Sequence, residues 1–205
     1  MRHRLLLVVA LGACGRLRFD PESSPADARG DGDVDAMVPL SCGDGVVDVG
    51  EECDTAGASL GCTASCQLAD QGAGGTCPSP ATLTLVPTAT GMGASATGDT
   101  STSTNTAQVS CTPANSLDRA YTVVIPSATT LSITLTPTTG WNPALAVRDA
   151  ALACNQSTTL CCVDAAGAGI AETSACPVPA GSVMIVVDAS SGGQSGPFAL
   201  RVSMP

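Results

Sequence analysis

Eleven cysteines in 205 residues constrain this chain more than any other feature of its sequence. A reducing cytosol would leave so many thiols unpaired, whereas an oxidising compartment converts them into disulfides. With only one Trp, one Tyr and two Phe, the chain can bury little large apolar surface, so a fold of this length needs covalent crosslinks. The sequence therefore predicts an exported, disulfide-stabilised protein.

The cysteines divide into Cys14, near the N-terminus, and ten others. The ten are Cys42, Cys53, Cys62, Cys66, Cys77, Cys111, Cys154, Cys161, Cys162 and Cys176. An even number indicates five disulfides, which we expect to form one set within residues 42–66 and another among the remaining six.

Strand geometry reduces the number of possible pairings among the other six cysteines. Cys161 and Cys162 are adjacent, so on a strand their side chains point to opposite faces and must bond to different partners. We expect Cys154 to bond to one of them and Cys176 to the other. That choice leaves Cys77 to pair with Cys111.

The N-terminal residues have the pattern of a signal peptide. Arg2, His3 and Arg4 give a positive start, and residues 5–11 (LLLVVAL) form an apolar run far shorter than the ~20 residues that span a bilayer. The sequence Leu11-Gly12-Ala13-Cys14 resembles the lipobox of bacterial lipoproteins. That resemblance implies removal of residues 1–13 and acylation of Cys14, by palmitate-type chains that hold the protein in a membrane. Gly15 is not the Asp associated with inner-membrane retention, which favours the outer membrane or cell surface.

Residues 15–41 are acidic and contain no sustained apolar period. Such a composition cannot offset the entropy of ordering by burial. We predict that residues 14–41 are the lipidated cysteine followed by a disordered tether.

Residues 42–66 (CGDGVVDVGEECDTAGASLGCTASC) place four cysteines in 25 residues around glycine-rich turns. The segment resembles the myxobacterial cysteine-rich repeat, which begins Cys-Gly-Asp-Gly and continues Gly-Glu-x-Cys-Asp; here these are residues 42–45 and 50–54. After Asp54 the usual Asp-Gly-Asn is replaced by Thr55-Ala56-Gly57. We assign residues 42–76 to this repeat and a linker.

Two metal hypotheses apply to this repeat. Cys42, Cys53, Cys62 and Cys66 could close a structural zinc site, but an oxidising compartment favours disulfides. Asp44, Glu51 and Asp54 are candidate calcium ligands, although Asp residues are also common in turns without a metal. We expect no cofactor other than calcium.

Residues 77–205 show strand patterns with turn signals between them. Tyr121, Val123 and Ile125 alternate with other residues, as do Leu131, Ile133 and Leu135. Further strands are expected around Leu83, Val147, residues 183–187 and residues 198–202, whereas the rest of residues 67–110 is predicted to be loop. The fold class is therefore all-β, a small disulfide-rich knot followed by an antiparallel β-sandwich.

This part also resembles the pre-peptidase C-terminal domain of secreted bacterial proteins, which is a jelly-roll-like β-sandwich. The residues that carry the resemblance are Gly98-Asp99-Thr100, residues 117–121, Pro179-Ala180-Gly181, residues 183–188 and residues 196–200. The resemblance implies an appended, non-catalytic module.

Charge and composition exclude several functions. The net charge of −10, with no Lys anywhere and with His3 as the only His, excludes nucleic-acid binding. The usual activators of a catalytic nucleophile are missing, so we predict no enzyme and no catalytic residue. A carboxylate-based glycan hydrolase using Asp118, Asp164 and Asp188 is the remaining catalytic alternative.

The expected function is a non-catalytic binding or adhesion module on the envelope, with a matrix polysaccharide or a surface protein as partner. The alternative is a structural envelope protein without a specific ligand.

Overall fold

The computed structural model describes residues 42–57, 59–112 and 116–205. The predicted signal peptide, the lipidated Cys14 and the acidic tether lie outside the described residues. All described residues belong to one compact unit, which contains both the cysteine-rich segment and the strands. The domain boundaries that we expect at residues 13, 41 and 76 stay predictions.

The described residues form ten strands. They are β1 (Ala81–Thr82), β2 (Val86–Thr88), β3 (Gly91–Asp99), β4 (Arg119–Ile125), β5 (Thr129–Pro137), β6 (Pro143–Asp149), β7 (Cys161–Val163), β8 (Glu172–Val178), β9 (Gly181–Ala189) and β10 (Pro197–Met204). The first sheet has the order β1-β4-β9-β6-β7 and the second has the order β2-β3-β10-β5-β8. All neighbours are antiparallel except β1 and β4. The predicted all-β sandwich is confirmed.

The core lies between the two sheets and follows the predicted alternation. Tyr121, Val123 and Ile125 of β4 point inward from the first sheet, and Leu131, Ile133 and Leu135 of β5 point inward from the second. Each of these side chains is at most 1% exposed. The polar residues between them face outward, as two-residue periodicity requires.

Strand β3 lies where the sequence predicts a loop, so that prediction is wrong. Its nine residues are mostly Gly, Ala, Ser and Thr, and they carry no large apolar alternation. The strand nevertheless pairs along its length with β10, and small residues are needed because the packing is close. A Cβ added at Gly98 would lie 2.5 Å from the Phe198 ring.

A second apolar layer covers the outer face of the first sheet. Residues 104–112, which we call the cover segment, bring Ala107 and Val109 onto Ala120, Ala146 and Val186. Strand β9 is therefore buried on both faces from Val183 to Ala189. Coverage on both sides explains its continuous run of apolar residues.

Five disulfides join the ten cysteines, which confirms the predicted disulfide bonding. The pairs are Cys42–Cys66, Cys53–Cys62, Cys77–Cys154, Cys111–Cys162 and Cys161–Cys176. As expected, no bridge connects residues 42–66 to the other six cysteines, and Cys161 and Cys162 have different partners.

Two expected bridges are wrong, the one between Cys77 and Cys111 and the one from Cys154 to Cys161 or Cys162, whereas Cys176 bonds to Cys161 as expected. The cover segment carries Cys111 across the first sheet to Cys162 on the outer face of β7, whereas Cys77 meets Cys154 beside that segment. Cys161 points inward and joins the first sheet to β8 of the second. The pairing of Cys111 with Cys162 therefore depends on the path of the cover segment, and the sequence of that segment has no strand pattern from which its path could be predicted.

Within the described part of the chain, no helix has the length and apolar character needed to cross a membrane.

Candidate binding groove

An open groove of about 330 Å³ lies where the cysteine-rich segment meets the outer face of the second sheet. Its floor includes Ser132 and Thr134 of β5 and Arg201 and Ser203 of β10. These side chains face outward because their neighbours on each strand are in the core. Arg201 pairs with Thr134 and Ser203 pairs with Ser132 across the strands, so the floor is regular.

One wall of the groove is formed by Glu51 and Glu52 of the cysteine-rich segment. The Glu52 Oε1 atom accepts a hydrogen bond from Arg201 Nη2 at 2.8 Å, and Oε2 accepts one from the Leu68 N–H at 3.2 Å. The hydrogen bond from Arg201 lowers the pKa of the Glu52 carboxyl. The Arg201 side chain is 60% exposed and the Glu52 side chain is 32% exposed, so this ion pair lies at the surface.

The position of the wall depends on packing and on hydrogen bonds within the cysteine-rich segment. The Cys53–Cys62 disulfide packs against Val86 of β2 and against Leu68. Glu51 is held through its Oε2 atom, which accepts from the Asp48 N–H at 3.0 Å. The carboxylates of the wall are therefore fixed relative to the hydroxyl floor.

Asp54 holds the turn at residues 43–46. Its Oδ2 atom accepts from the Gly43 and Asp44 N–H groups at 2.9 and 3.2 Å, and its Oδ1 atom accepts from Gly45 and Ala56 at 3.2 and 2.8 Å. Hydrogen bonds from the backbone, that of Ala56 foremost, keep the pKa of Asp54 below its ordinary value. Positive φ at Gly43 and Gly45 lets their N–H groups converge on the carboxylate. These contacts give a physical reason for Gly-Asp-Gly followed by Cys-Asp in this segment.

The structure does not bring the three candidate calcium ligands together. Asp54 is engaged as described, and Asp44 Oδ1 accepts from the Val46 N–H at 2.8 Å. Among the described residues, the one group of three potential ligands within 4.8 Å is Cys42, Glu51 and Cys66, and both cysteines are in a disulfide. Calcium binding at Asp44, Glu51 and Asp54 stays a prediction.

The three carboxylates considered for glycan hydrolysis accept hydrogen bonds from other parts of the chain. Asp118 is fully buried and accepts hydrogen bonds from the Thr106 and Ala107 backbone and from Thr106 Oγ1. Asp188 is 3% exposed and accepts from Thr112 Oγ1 at 2.8 Å. Asp164 is exposed and accepts from Ser190 Oγ. The two buried carboxylates hold the cover segment instead of facing an open cleft.

Burial raises the pKa of Asp188 to about 6, and the neighbouring Asp118 charge adds to the rise. Hydrogen bonds from Thr112 and from the Ala189 N–H act in the opposite direction. A buried carboxyl of this kind is a candidate proton donor in an active site. Here its contacts are with the cover segment, with Ser116 and with its own strand.

Sequence reasoning missed the groove because its two parts are more than 60 residues apart in sequence. The alternation of Ser132, Thr134 and Thr136 with core residues was visible and identified an outward polar face. The approach of Glu51 and Glu52 to that face had no signal in the sequence. It follows from the packing of the Cys53–Cys62 disulfide on β2.

Comparisons with known proteins give only distant similarities in structure. No family model and no curated protein matches the sequence. The solved structures similar to it include the pre-peptidase C-terminal domain of collagenase from Bacillus anthracis, at 15% identity with a TM-score of 0.37, covering 55% of this chain and 90% of that one. They also include PliG of Aeromonas hydrophila, a periplasmic inhibitor of g-type lysozyme, at 19% identity with a TM-score of 0.39, covering 61% of this chain and 96% of that one. No function follows from similarities at this level.

The class of protein follows from the fold and the disulfides. Five bridges in an all-β sandwich are typical of proteins that fold in an oxidising compartment. The protein is therefore extracytoplasmic.

Proposed function

We propose that the protein is an exported lipoprotein that acts as a non-catalytic binding module of the cell envelope. Cys14 carries the lipid anchor, the acidic tether sets the reach, and the groove beside the cysteine-rich segment binds the partner. The observation that carries the proposal is the open groove with its fixed carboxylate wall and hydroxyl floor. The burial of Asp118 and Asp188 beneath the cover segment supports a non-catalytic role.

Binding can be tested by depletion. A soluble form lacking residues 1–14 is incubated with cells or their matrix, with and without calcium, and the protein left in solution is measured. We expect depletion of the parent and of the Thr158→Arg variant, which adds a bulky cation at an exposed loop. Thr134→Arg makes the same change in the groove floor and should leave the protein in solution.

The outcomes separate the two functional hypotheses. Equal depletion of both variants would place the binding surface outside the groove. If the parent is not depleted from solution under any condition, the binding function is refuted in favour of a structural envelope protein. A requirement for calcium would support the candidate ligands Asp44, Glu51 and Asp54.

The anchor is tested separately by changing Cys14 to Ser. The sulfur is the acylation point in lipoproteins, so the variant should remain unprocessed and should lose the acyl chains that give stable anchoring. Phase partitioning in detergent measures this, with the parent protein as the control. A Cys14→Ser protein that is processed and partitions like the parent would contradict the lipoprotein assignment.

A further inference from the structure

We infer that the groove binds an extended, cationic peptide segment of a partner protein. The inference rests on the proposed binding function and specifies the chemistry of the partner. Charge, the shape of the floor and the placement of the aromatic residues support it.

The wall of the groove belongs to the most acidic part of the described chain. Residues 42–66 contain five carboxylates, Asp44, Asp48, Glu51, Glu52 and Asp54, and no Lys, Arg or His. Glu51 and Glu52 line the groove itself. An acidic surface on a chain of net charge −10 attracts cationic partners and repels anionic ones.

Each arginine in the described part of the chain already has a hydrogen-bond partner, and the one that lines the groove is in an ion pair with a carboxylate. Of the three arginines in the described residues, Arg148 is buried under the cover segment, where it donates to the carbonyl groups of Gln108 and Ala153. Arg119 donates to the Asp99 carbonyl and to Thr102. Arg201 lines the groove but is paired with Glu52. Carboxylate and hydroxyl oxygens remain available to a ligand.

The floor fits an extended chain. Ser132 and Thr134 on β5 recur every second residue, and Ser203 lies beside Ser132 on β10. A peptide lying along these strands has the same two-residue repeat, so alternate side chains or backbone groups meet successive hydroxyls. Each hydroxyl can donate and accept, which suits a peptide backbone.

A glycan fits the structure less well than a peptide. Sugar rings are commonly held by an exposed aromatic side chain, which presents a flat apolar face. The three aromatic residues of the described part are Tyr121, Trp141 and Phe198, and each is at most 6% exposed. They belong to the core between the sheets and cannot serve the groove.

The test uses the full-length protein, purified in mild detergent, and fluorescently labelled peptides. A decapeptide of alternating lysine and threonine is compared with one of alternating glutamate and threonine, and the polysaccharide laminarin is the neutral competitor. Fluorescence anisotropy should report binding of the lysine peptide only. The affinity should fall as the ionic strength is raised from about 0.01 M to about 0.15 M, because exposed charges are then screened.

Two substitutions in the groove have expected effects of opposite sign. Glu51→Gln keeps an acceptor for the Asp48 N–H but removes the charge, and should weaken binding about two- to five-fold. Arg201→Gln frees Glu52 and should strengthen binding by a similar factor. Asp149→Asn is the matched control, because it removes an exposed charge on the first sheet and keeps the hydrogen bond to Ala151. Thermal melts establish that each variant is folded.

Several results would overturn the inference. Weaker binding of the lysine peptide by Arg201→Gln would identify the arginine as an anion-binding residue. Equal losses of affinity in Glu51→Gln and Asp149→Asn would show that only the net charge of the protein matters, and not the position of Glu51 in the groove. Displacement of the peptide by laminarin would indicate a glycan site. A laminarin site would leave the proposed binding function intact, whereas failure of the depletion experiment would remove that function itself.

Discussion

At the scale of single residues, carboxylates of this protein hold turns and loops in place. Asp54 accepts four backbone N–H groups, and Asp118 accepts the backbone of Thr106 and Ala107. Glu172 in the same way accepts the N–H groups of residues 165 and 166. A carboxylate satisfies several buried donors at once, because each oxygen can accept two hydrogen bonds. Acidic residues that suggested catalysis or calcium therefore have structural partners.

Asp188 gives the first prediction at this scale. Burial raises the pKa of this carboxyl to about 6, from an ordinary value of 3.8, so the native state holds the proton more tightly than the unfolded chain does. The associated stability is present below about pH 4 and is lost as the pH rises through about 6. Asp188→Asn cannot ionise, so at neutral pH it should unfold with a free energy higher by up to about 3 kcal/mol.

Urea unfolding at about pH 4 and about pH 7.5 measures this effect as the difference between variant and parent. Using the difference removes contributions from carboxyls such as Glu52 and Asp70, whose pKa values are lowered and whose stability trend is opposite. Asp164→Asn is the control, because it also removes one carboxylate but at an exposed position. A difference between Asp188→Asn and the parent that is independent of pH would show that Asp188 titrates normally.

At the scale of elements, the cover segment distinguishes this sandwich from a simple two-sheet stack. Its regular pairing is limited to an isolated bridge between Thr104 and Asp118, and it is held by the Asp118 carboxylate, by the Arg148 contact to Gln108 and by the Cys111–Cys162 bridge. Its apolar residues turn the outer face of the first sheet into a second buried layer. The segment therefore contributes to stability although it is irregular.

The bridge at the end of the cover segment gives the prediction at this scale. Replacing both Cys111 and Cys162 by Ser should lower the free energy of unfolding by about 2–4 kcal/mol, because the unfolded chain loses a crosslink. Hydrogen exchange should also accelerate at the Thr106 and Ala107 amides, which donate to Asp118. The matched control replaces Cys42 and Cys66, and should leave those two amides protected. Unchanged exchange in the Cys111/Cys162 variant would show that the carboxylate holds the segment without the bridge.

At the scale of the whole molecule, covalent bonds compensate for a core built from small residues. The core between the sheets contains three aromatic residues, Tyr121, Trp141 and Phe198, and otherwise mainly aliphatic side chains and alanine. Burying one larger aliphatic side chain contributes about 1.5–3 kcal/mol before the entropy of ordering is subtracted. Net stability is then small unless the unfolded state is restricted by crosslinks.

Chemical reduction of the disulfides tests how far the fold depends on crosslinks and how far on packing. Each native bridge in a small exported domain contributes about 2–5 kcal/mol, so opening all five should remove about 10–25 kcal/mol, which is comparable to or larger than the ~5–15 kcal/mol that stabilises a typical domain. The oxidised protein should melt cooperatively from a β-type circular dichroism spectrum, and the fully reduced protein should show little or no transition. Thiol titration is the control for complete reduction. The same melting temperature with ten free thiols would show that packing alone holds the fold.

The sequence by itself determined the oxidising compartment, the fold class and the inward residues of β4 and β5. Cysteine count and two-residue alternation are local properties, and they were sufficient to predict that disulfides form and that β4 and β5 are strands. Tertiary structure decided that the Gly- and Ala-rich β3 is a strand, that Cys77 bonds to Cys154, and that Glu51 and Glu52 face a hydroxyl floor. Each of these three features depends on the packing of segments that are distant in the chain. Contacts of that kind impose no periodic pattern on the sequence of either segment, so they cannot be predicted from it.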